Sequence, residues 1–180
     1  RSTQVLTLFP YTTLFRSGLG AIGTALAMRA AAFRMRVAWH GPRPKADTSL
    51  PYVADLESLA RDSDVLAICC AGGPATRHLV NARVLDALGP QGVLVNVARG
   101  SIVDTAALIE ALRGGSLGSA ALDVFEGQPH VPEDLLGLDR VLLTPHLGTA
   151  TRETRARMGD TVLASLAEHF AGRDPAHRVV

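Results

Sequence analysis

Gly18-Leu19-Gly20-Ala21-Ile22-Gly23 is a GxGxxG run at the head of an alanine-rich stretch that reads as a helix. In that setting the first glycine allows a tight turn. The second lets backbone approach a pyrophosphate, and the third lets helix pack on strand. The free N–H groups and positive end of the helix then hold the phosphates. A glycine turn without nucleotide is the plainer alternative. An NAD(H) site calls for Asp or Glu roughly 20 residues further on, to bond the ribose hydroxyls. No acid occurs there before Asp47. Arg43 and Lys45 stand instead in the loop Gly41-Pro42-Arg43-Pro44-Lys45. A guanidinium can fork onto a 2′-phosphate, so NADP(H) is favoured over NAD(H). A solvated basic loop is the competing reading. His40, just before it, either flanks an adenine or sits at the surface.

Three further segments combine reactive side chains with the ends of apolar runs. They are Val95-Asn96-Val97-Ala98-Arg99-Gly100, Ala121-Leu122-Asp123-Val124-Phe125-Glu126, and Leu143-Thr144-Pro145-His146-Leu147-Gly148. The elements that must position them alternate. Short, nearly unbroken apolar runs at 37–39, 65–70, 93–97, 120–125 and 141–143 read as strands buried on both faces of a parallel sheet. Helices are expected at 21–33, at 56–60 starting from Asp55, at 83–88 before Gly89-Pro90, at 105–113 behind the cap Asp104, and at 151–170 before Gly172. The pattern predicts an α/β fold, a doubly wound parallel sheet of the Rossmann type. Open sheets of that kind bind ligands beyond the carboxyl ends of their strands.

Residues 1–17, RSTQVLTLFPYTTLFRS, differ from the rest. They hold three of the eight aromatics and no alanine, whereas all 27 alanines follow. Residues 7–17 resemble a translated short-read sequencing adapter, with Arg1-Ser2-Thr3 as flanking primer and residues 4–6 as sample index. A signal peptide fits poorly, lacking an apolar core and a small-residue cleavage site. The expected organisation is a non-native segment at 1–17 and a dinucleotide-binding domain at 18–180. The native first strand is then missing or replaced, with the β-prone residues 12–16 as the accidental filler. Without Arg1 and Arg16 the chain carries 16 Lys+Arg against 17 Asp+Glu, so the formal charge moves from +1 to −1. Neither value makes the positive field that would bring nucleic acid as a partner. No apolar run is long enough to span a membrane, and no metal is expected. The adjacent cysteines Cys69 and Cys70 read as buried strand-end packing in a reducing compartment, hence a cytoplasmic location.

The ordered set of four motifs, over residues 18–170, resembles the D-isomer-specific 2-hydroxyacid dehydrogenase family. The stretches 39–45 and 70–77 are most similar to its glyoxylate/hydroxypyruvate reductase branch. The resemblance implies hydride transfer between NADP(H) and a small 2-keto acid. It implies that Arg99 holds the substrate carboxylate, that His146 is the proton donor, and that Glu126 orients His146. Alone, each has an ordinary reading: Arg99 a surface charge, His146 a turn residue, Glu126 a cap for the turn at 127–129. The resemblance also implies cofactor contacts from Gly18, Gly20, Ala21, Ile22, Gly23, Arg43, Lys45, Ala71, Pro74, Thr76, Val97, Ala98, Asp123 and Gly148. Family members carry an N-terminal substrate domain, toward which the last helix returns, and are commonly homodimers. That domain is not expected here, so helix 151–170 is expected to show an apolar face and the chain to be weakly active or inactive alone. A dinucleotide-sensing corepressor and an NAD-linked phosphoglycerate-dehydrogenase-like enzyme are the alternative readings. His78, His130, His169 and His177 have no evident partners in the sequence and read as surface or satisfied groups.

Overall fold

A computed structural model describes residues 13–17 and 19–176. Gly18 and His177 therefore lie outside the described residues, as does most of the adapter-like segment. The chain divides into two compact units, one running to Pro145 and the other His146–Val180.

The first unit is a six-stranded, all-parallel sheet. Its strands are β1 (Thr13–Ser17), β2 (Arg36–His40), β3 (Val65–Ile68), β4 (Val93–Asn96), β5 (Ser119–Leu122) and β6 (Val141–Leu143), in the order β2-β1-β3-β4-β5-β6. The order reverses between β1 and β3, which is where doubly wound sheets open a ligand crevice. β1 falls within the segment read as foreign. It nevertheless occupies an interior slot between β2 and β3, pairing with both neighbours from Thr13↔Arg36 to Ser17↔Ile68. Backbone pairing runs through N–H and C=O groups, and Thr and Phe favour strands.

Helices α1 (Ala21–Ala32), α2 (Leu56–Arg61), α3 (Ala82–Leu88), α4 (Thr105–Gly114) and α5 (Glu133–Leu136) connect the strands. Their ends follow local chemistry. Asp55 accepts from the Ser58 N–H, Asn81 from Arg83 and Val84, and Asp104 from Ala107. Gly115 closes α4 in the left-handed conformation. The short α5 has no counterpart in the sequence reading.

Burial on both faces of every strand does not hold. Leu66, Ile68, Leu94, Ala120 and Leu122 join Leu59, Leu85, Leu88 and Leu112 of α2–α4 in one large core. Among the described residues the opposite face has a smaller cluster, Ala30 and Ala67 with Leu26, Met35, Val37, Val65 and Val95. β4 and β5 therefore alternate half-buried and buried residues, and Leu142 of β6 is exposed. Three strands are also shorter than their apolar runs. Cys69-Cys70, Val97 and Asp123–Phe125 leave the ladder to form loops at its carboxyl edge.

The second unit is built on α6 (Arg152–Phe170), N-capped by Thr151. No residue of α6 is buried. Met158, Val162, Leu166 and Phe170, four residues apart, are all exposed, an apolar stripe on one helical face. No helix among the described residues is long and apolar enough to cross a membrane.

Leu59 is fully buried in the core where α2 meets α3. Leu59→Ala is expected to cost about 2–5 kcal/mol, read as a lower urea midpoint with an unchanged slope.

Candidate active site

The glycine turn opens where β1 meets α1. Gly20 is the N-cap of α1, with no side-chain cap, and the helix has no acidic residue in its first turn. A Cβ at Gly20 would meet nothing within 4 Å. The start of α1 thus carries no side-chain cap and no acid, and its positive end suits a pyrophosphate. Gly23 is buried, whereas Ala21 and Ile22 are exposed. Arg43 is exposed, with no partner among the described residues. Lys45 is engaged: its Nζ donates to the Leu19 carbonyl at 2.9 Å. Beyond β3, Pro74 opens a single 3₁₀ turn, Pro74–Thr76. The Thr76 hydroxyl lies 2.9 Å from the Ala71 carbonyl and 3.2 Å from that of Gly73, closing this loop on itself.

Beyond β4 one buried amide shapes the loop. Asn96 is only 1% exposed. Its Oδ1 accepts the Ala98 N–H at 3.0 Å, and its Nδ2 donates to the Arg99 carbonyl at 3.0 Å. The Val97 N–H reaches back to the Ile68 carbonyl. Ala98 is buried and Val97 half-exposed. Arg99 emerges at the surface, its Nη1 donating to the Ala98 carbonyl at 2.6 Å. It has no carboxylate partner among the described residues. Its stem lies on Gly72, where a Cβ would sit 2.6 Å from Arg99 Cγ. Gly100 passes so close to the next loop that a Cβ would lie 2.1 Å from the Phe125 carbonyl carbon. Only glycine permits that approach, and it joins the Arg99 loop to Glu126. Asp123, at the end of β5, donates its N–H to the Asn96 carbonyl and accepts from the Thr144 hydroxyl.

Glu126 has a partner that its sequence neighbourhood did not reveal. Its Oε1 lies 2.9 Å from His78 Nε2, and its Oε2 accepts weakly from the Thr105 N–H at the start of α4. An ionised carboxylate only accepts, so His78 Nε2 carries the proton in this bond. His78 Nδ1 lies 3.8 Å from Asp104, and Arg77 approaches Glu126 at 4.0 Å. Burial is the largest single influence on Glu126 and pushes its pKa up. The hydrogen bonds from His78 and Thr105 together outweigh it and hold the carboxyl below the ordinary glutamate range. His78 adopts φ +50, a left-handed conformation. It is kept there by its N–H to the Ser101 carbonyl and by the Val80↔Val103 bridge. The reading of Glu126 as a cap for the turn at 127–129 gives way to this pairing. The sole sequence signal for His78 was its place directly after the 70–77 stretch.

The first unit thus gathers Arg99 and Glu126 on loops beyond adjacent strands. His146 and Gly148 belong to the second unit. Both are exposed, and His146 has φ +57, uncommon for a residue other than glycine. The described residues contain no His, Cys, Asp and Glu group able to hold a metal.

Asn96→Ala strands a buried N–H and is expected to cost about 1–3 kcal/mol, measured by denaturant titration. His78→Leu is expected to raise the Glu126 titration midpoint, followed by carboxyl ¹³C shifts. Because the folded value is depressed, Glu126 stabilises the fold above the unfolded glutamate pKa of about 4.3. That contribution is lost as pH falls through the lower folded value. The acid side of the stability profile should therefore flatten in His78→Leu.

Comparison with known proteins follows the same residues. The model of the D-isomer specific 2-hydroxyacid dehydrogenase NAD binding domain matches residues 11–148. The chain is 46% identical over 170 residues to glyoxylate/hydroxypyruvate reductase A of Arabidopsis thaliana, covering 94% of this chain and 54% of that protein. It is 47% identical over 156 residues to hydroxyphenylpyruvate reductase of Plectranthus scutellarioides, covering 87% and 50%. An NADPH-dependent glyoxylate/hydroxypyruvate reductase from Sinorhizobium meliloti, solved with NADP and malonate, superposes with a TM-score of 0.86 at 44% identity, covering 88% and 50%. The chain spans about half the length of the curated relatives it matches. Its parallel sheet, glycine turn and strand-end loops, taken with this match, make it a member of the D-isomer specific 2-hydroxyacid dehydrogenase family through the NAD binding domain.

Proposed function

We propose that the protein is the cofactor-binding part of an NADP(H)-dependent reductase acting on a small 2-keto acid of the glyoxylate or hydroxypyruvate kind. The observation that carries this is that two loops in contact at Gly100 present Arg99, a guanidinium without a carboxylate partner among the described residues, and Glu126, a carboxylate whose pKa is held below the ordinary glutamate range. An anionic keto acid needs the first, and a proton-donating imidazole benefits from the second. NADPH supplies the hydride when bound. Arg99 holds the substrate carboxylate in its planar fork and polarises the keto oxygen. His146 gives that oxygen a proton in reduction and takes it back in oxidation. Glu126 orients His146, while His78 keeps one Glu126 oxygen occupied.

The cofactor contacts follow the loops beyond β1 to β6. Gly18, Gly20, Ala21, Ile22 and Gly23 take the pyrophosphate at the start of α1. Arg43 takes the 2′-phosphate, with Lys45 beside it. Ala71, Pro74 and Thr76 flank the adenosine. Val97, Ala98, Asp123 and Gly148 border the nicotinamide. The freedom of Arg43 and the NADP-bound Sinorhizobium relative support NADP(H) over NAD(H). A homodimeric enzyme in the cytoplasm belongs to the same reading, and a chain whose cysteines are just the adjacent pair Cys69 and Cys70 suits a reducing compartment.

The 180-residue chain is expected to bind NADPH at least about tenfold more tightly than NADH, the worth of one charge-assisted hydrogen bond. Titration of nucleotide fluorescence measures this, and equal affinities would overturn the NADP(H) assignment. The chain alone is expected to reduce glyoxylate slowly or not at all. Brisk turnover would show that it closes a complete site without the rest of its longer relatives' length. In any form that turns over, His146→Gln should abolish reduction while leaving NADPH affinity intact.

A further inference from the structure

The loop that carries Arg43 is fastened more firmly than its exposure requires. On its return limb, the Trp39 N–H donates to the Pro51 carbonyl at 2.9 Å and the Val53 N–H to the Trp39 carbonyl at 2.8 Å. Together they make a one-residue parallel bridge, Trp39↔Tyr52, on the free edge of β2. The indole N–H of Trp39 donates to the Leu50 carbonyl at 3.2 Å. Its ring is 1% exposed and packs on that of Tyr52 with centroids 4.9 Å apart. On the outgoing limb, the Tyr52 hydroxyl donates to the Gly41 carbonyl at 2.9 Å, crossing the loop at its neck. His40 Nδ1 bonds the Val53 carbonyl at 3.1 Å. At the far side, Lys45 ties the loop to Leu19 in the glycine turn.

Between those anchors sit Pro42, Arg43 and Pro44, two rings of fixed φ around one guanidinium with no partner among the described residues. An ordinary solvated loop does not need a buried tryptophan, a cross-neck phenol and a lysine strut. Ordering a flexible loop around a ligand weakens binding, and a loop already ordered avoids that cost. Lys45 already spends one N–H on a carbonyl, which makes it part of the frame. Arg43 is the group the frame presents.

We propose that Tyr52 is a specificity-determining positioning residue: its bond to Gly41 holds the loop neck so that Arg43 stands preformed for the phosphate on the adenosine 2′ position. This rests on the NADP(H) reading above. Tyr52 carries no charge and acts through the backbone of Gly41. The phenol therefore distinguishes 2′-phosphorylated nucleotides from plain ones without touching either.

Calorimetric titration of the full chain with 2′,5′-ADP and with 5′-ADP tests this, in the wild type, Tyr52→Phe, Arg43→Ala and the double variant. Tyr52→Phe keeps the ring on Trp39 and loses only the hydroxyl. It is expected to weaken 2′,5′-ADP by about 3–10-fold, the range of one neutral hydrogen bond, and to leave 5′-ADP unchanged. In the Arg43→Ala background it should have no further effect, because its influence runs through Arg43. Amide exchange at Val53 should stay slow in Tyr52→Phe, showing that the return limb is intact. If the wild type binds both nucleotides alike, the NADP(H) reading falls and this inference with it. If the wild type discriminates but Tyr52→Phe weakens both nucleotides equally, weakens neither, or adds its full effect to Arg43→Ala, this inference is overturned and the cofactor reading stands.

Discussion

The Asn96 side chain is a buried amide that replaces two strand hydrogen bonds at the end of β4. By accepting the Ala98 N–H and donating to the Arg99 carbonyl it stops the ladder and turns the chain outward. A buried polar group is tolerated only when satisfied, so the amide dictates one path for residues 97–99. That path sends Arg99 to the surface over Gly72 and presses Gly100 against the Phe125–Glu126 backbone. The loops beyond β3, β4 and β5 are thereby locked together, and the charged groups they carry acquire fixed positions.

Electrostatics follow from that locking. Glu126 is drawn beside the positive end of α4 and under His78, and stays ionised in spite of its burial. His78 reaches it from a left-handed backbone conformation that the 78–80 and 101–104 segments enforce by mutual hydrogen bonds. Local strain of this kind persists where the surroundings over-determine it, and it concentrates at functional sites. The opposite end of the crevice uses the same principle in a different form. A buried indole and a phenol hold the loop after β2, leaving Arg43 without a partner among the described residues while Lys45 is spent on Leu19.

Much of the fold was legible because its signals are local. Apolar runs separated by capped helices specify a parallel sheet, and Asp55, Asp104 and Gly115 perform the capping roles their residue types favour. The strand ends were less legible. Hydrophobicity runs on through Cys69-Cys70, Val97 and Asp123–Phe125, but pairing stops where side chains and neighbouring loops take over the backbone groups. Two-sided burial of the strands also failed, because helices α2–α4 crowd one face and leave β4 to β6 thinly covered on the other. The strand β1 shows the converse: residues 13–17 look foreign by composition, yet their backbone pairs in register with β2 and β3.

By itself the sequence determined the type of fold, the family, and the identity of the charged residues at the strand ends, since these are written in spacing and residue type. Only the tertiary structure decided which group each of them meets. It gave Glu126 to His78, Lys45 to the Leu19 carbonyl, Thr76 to its own loop, and Asn96 the task of turning the chain toward Arg99. These pairings join residues brought close by sheet order and loop path, and hydrogen-bond geometry at about 3 Å is set by that packing. No local pattern encodes it.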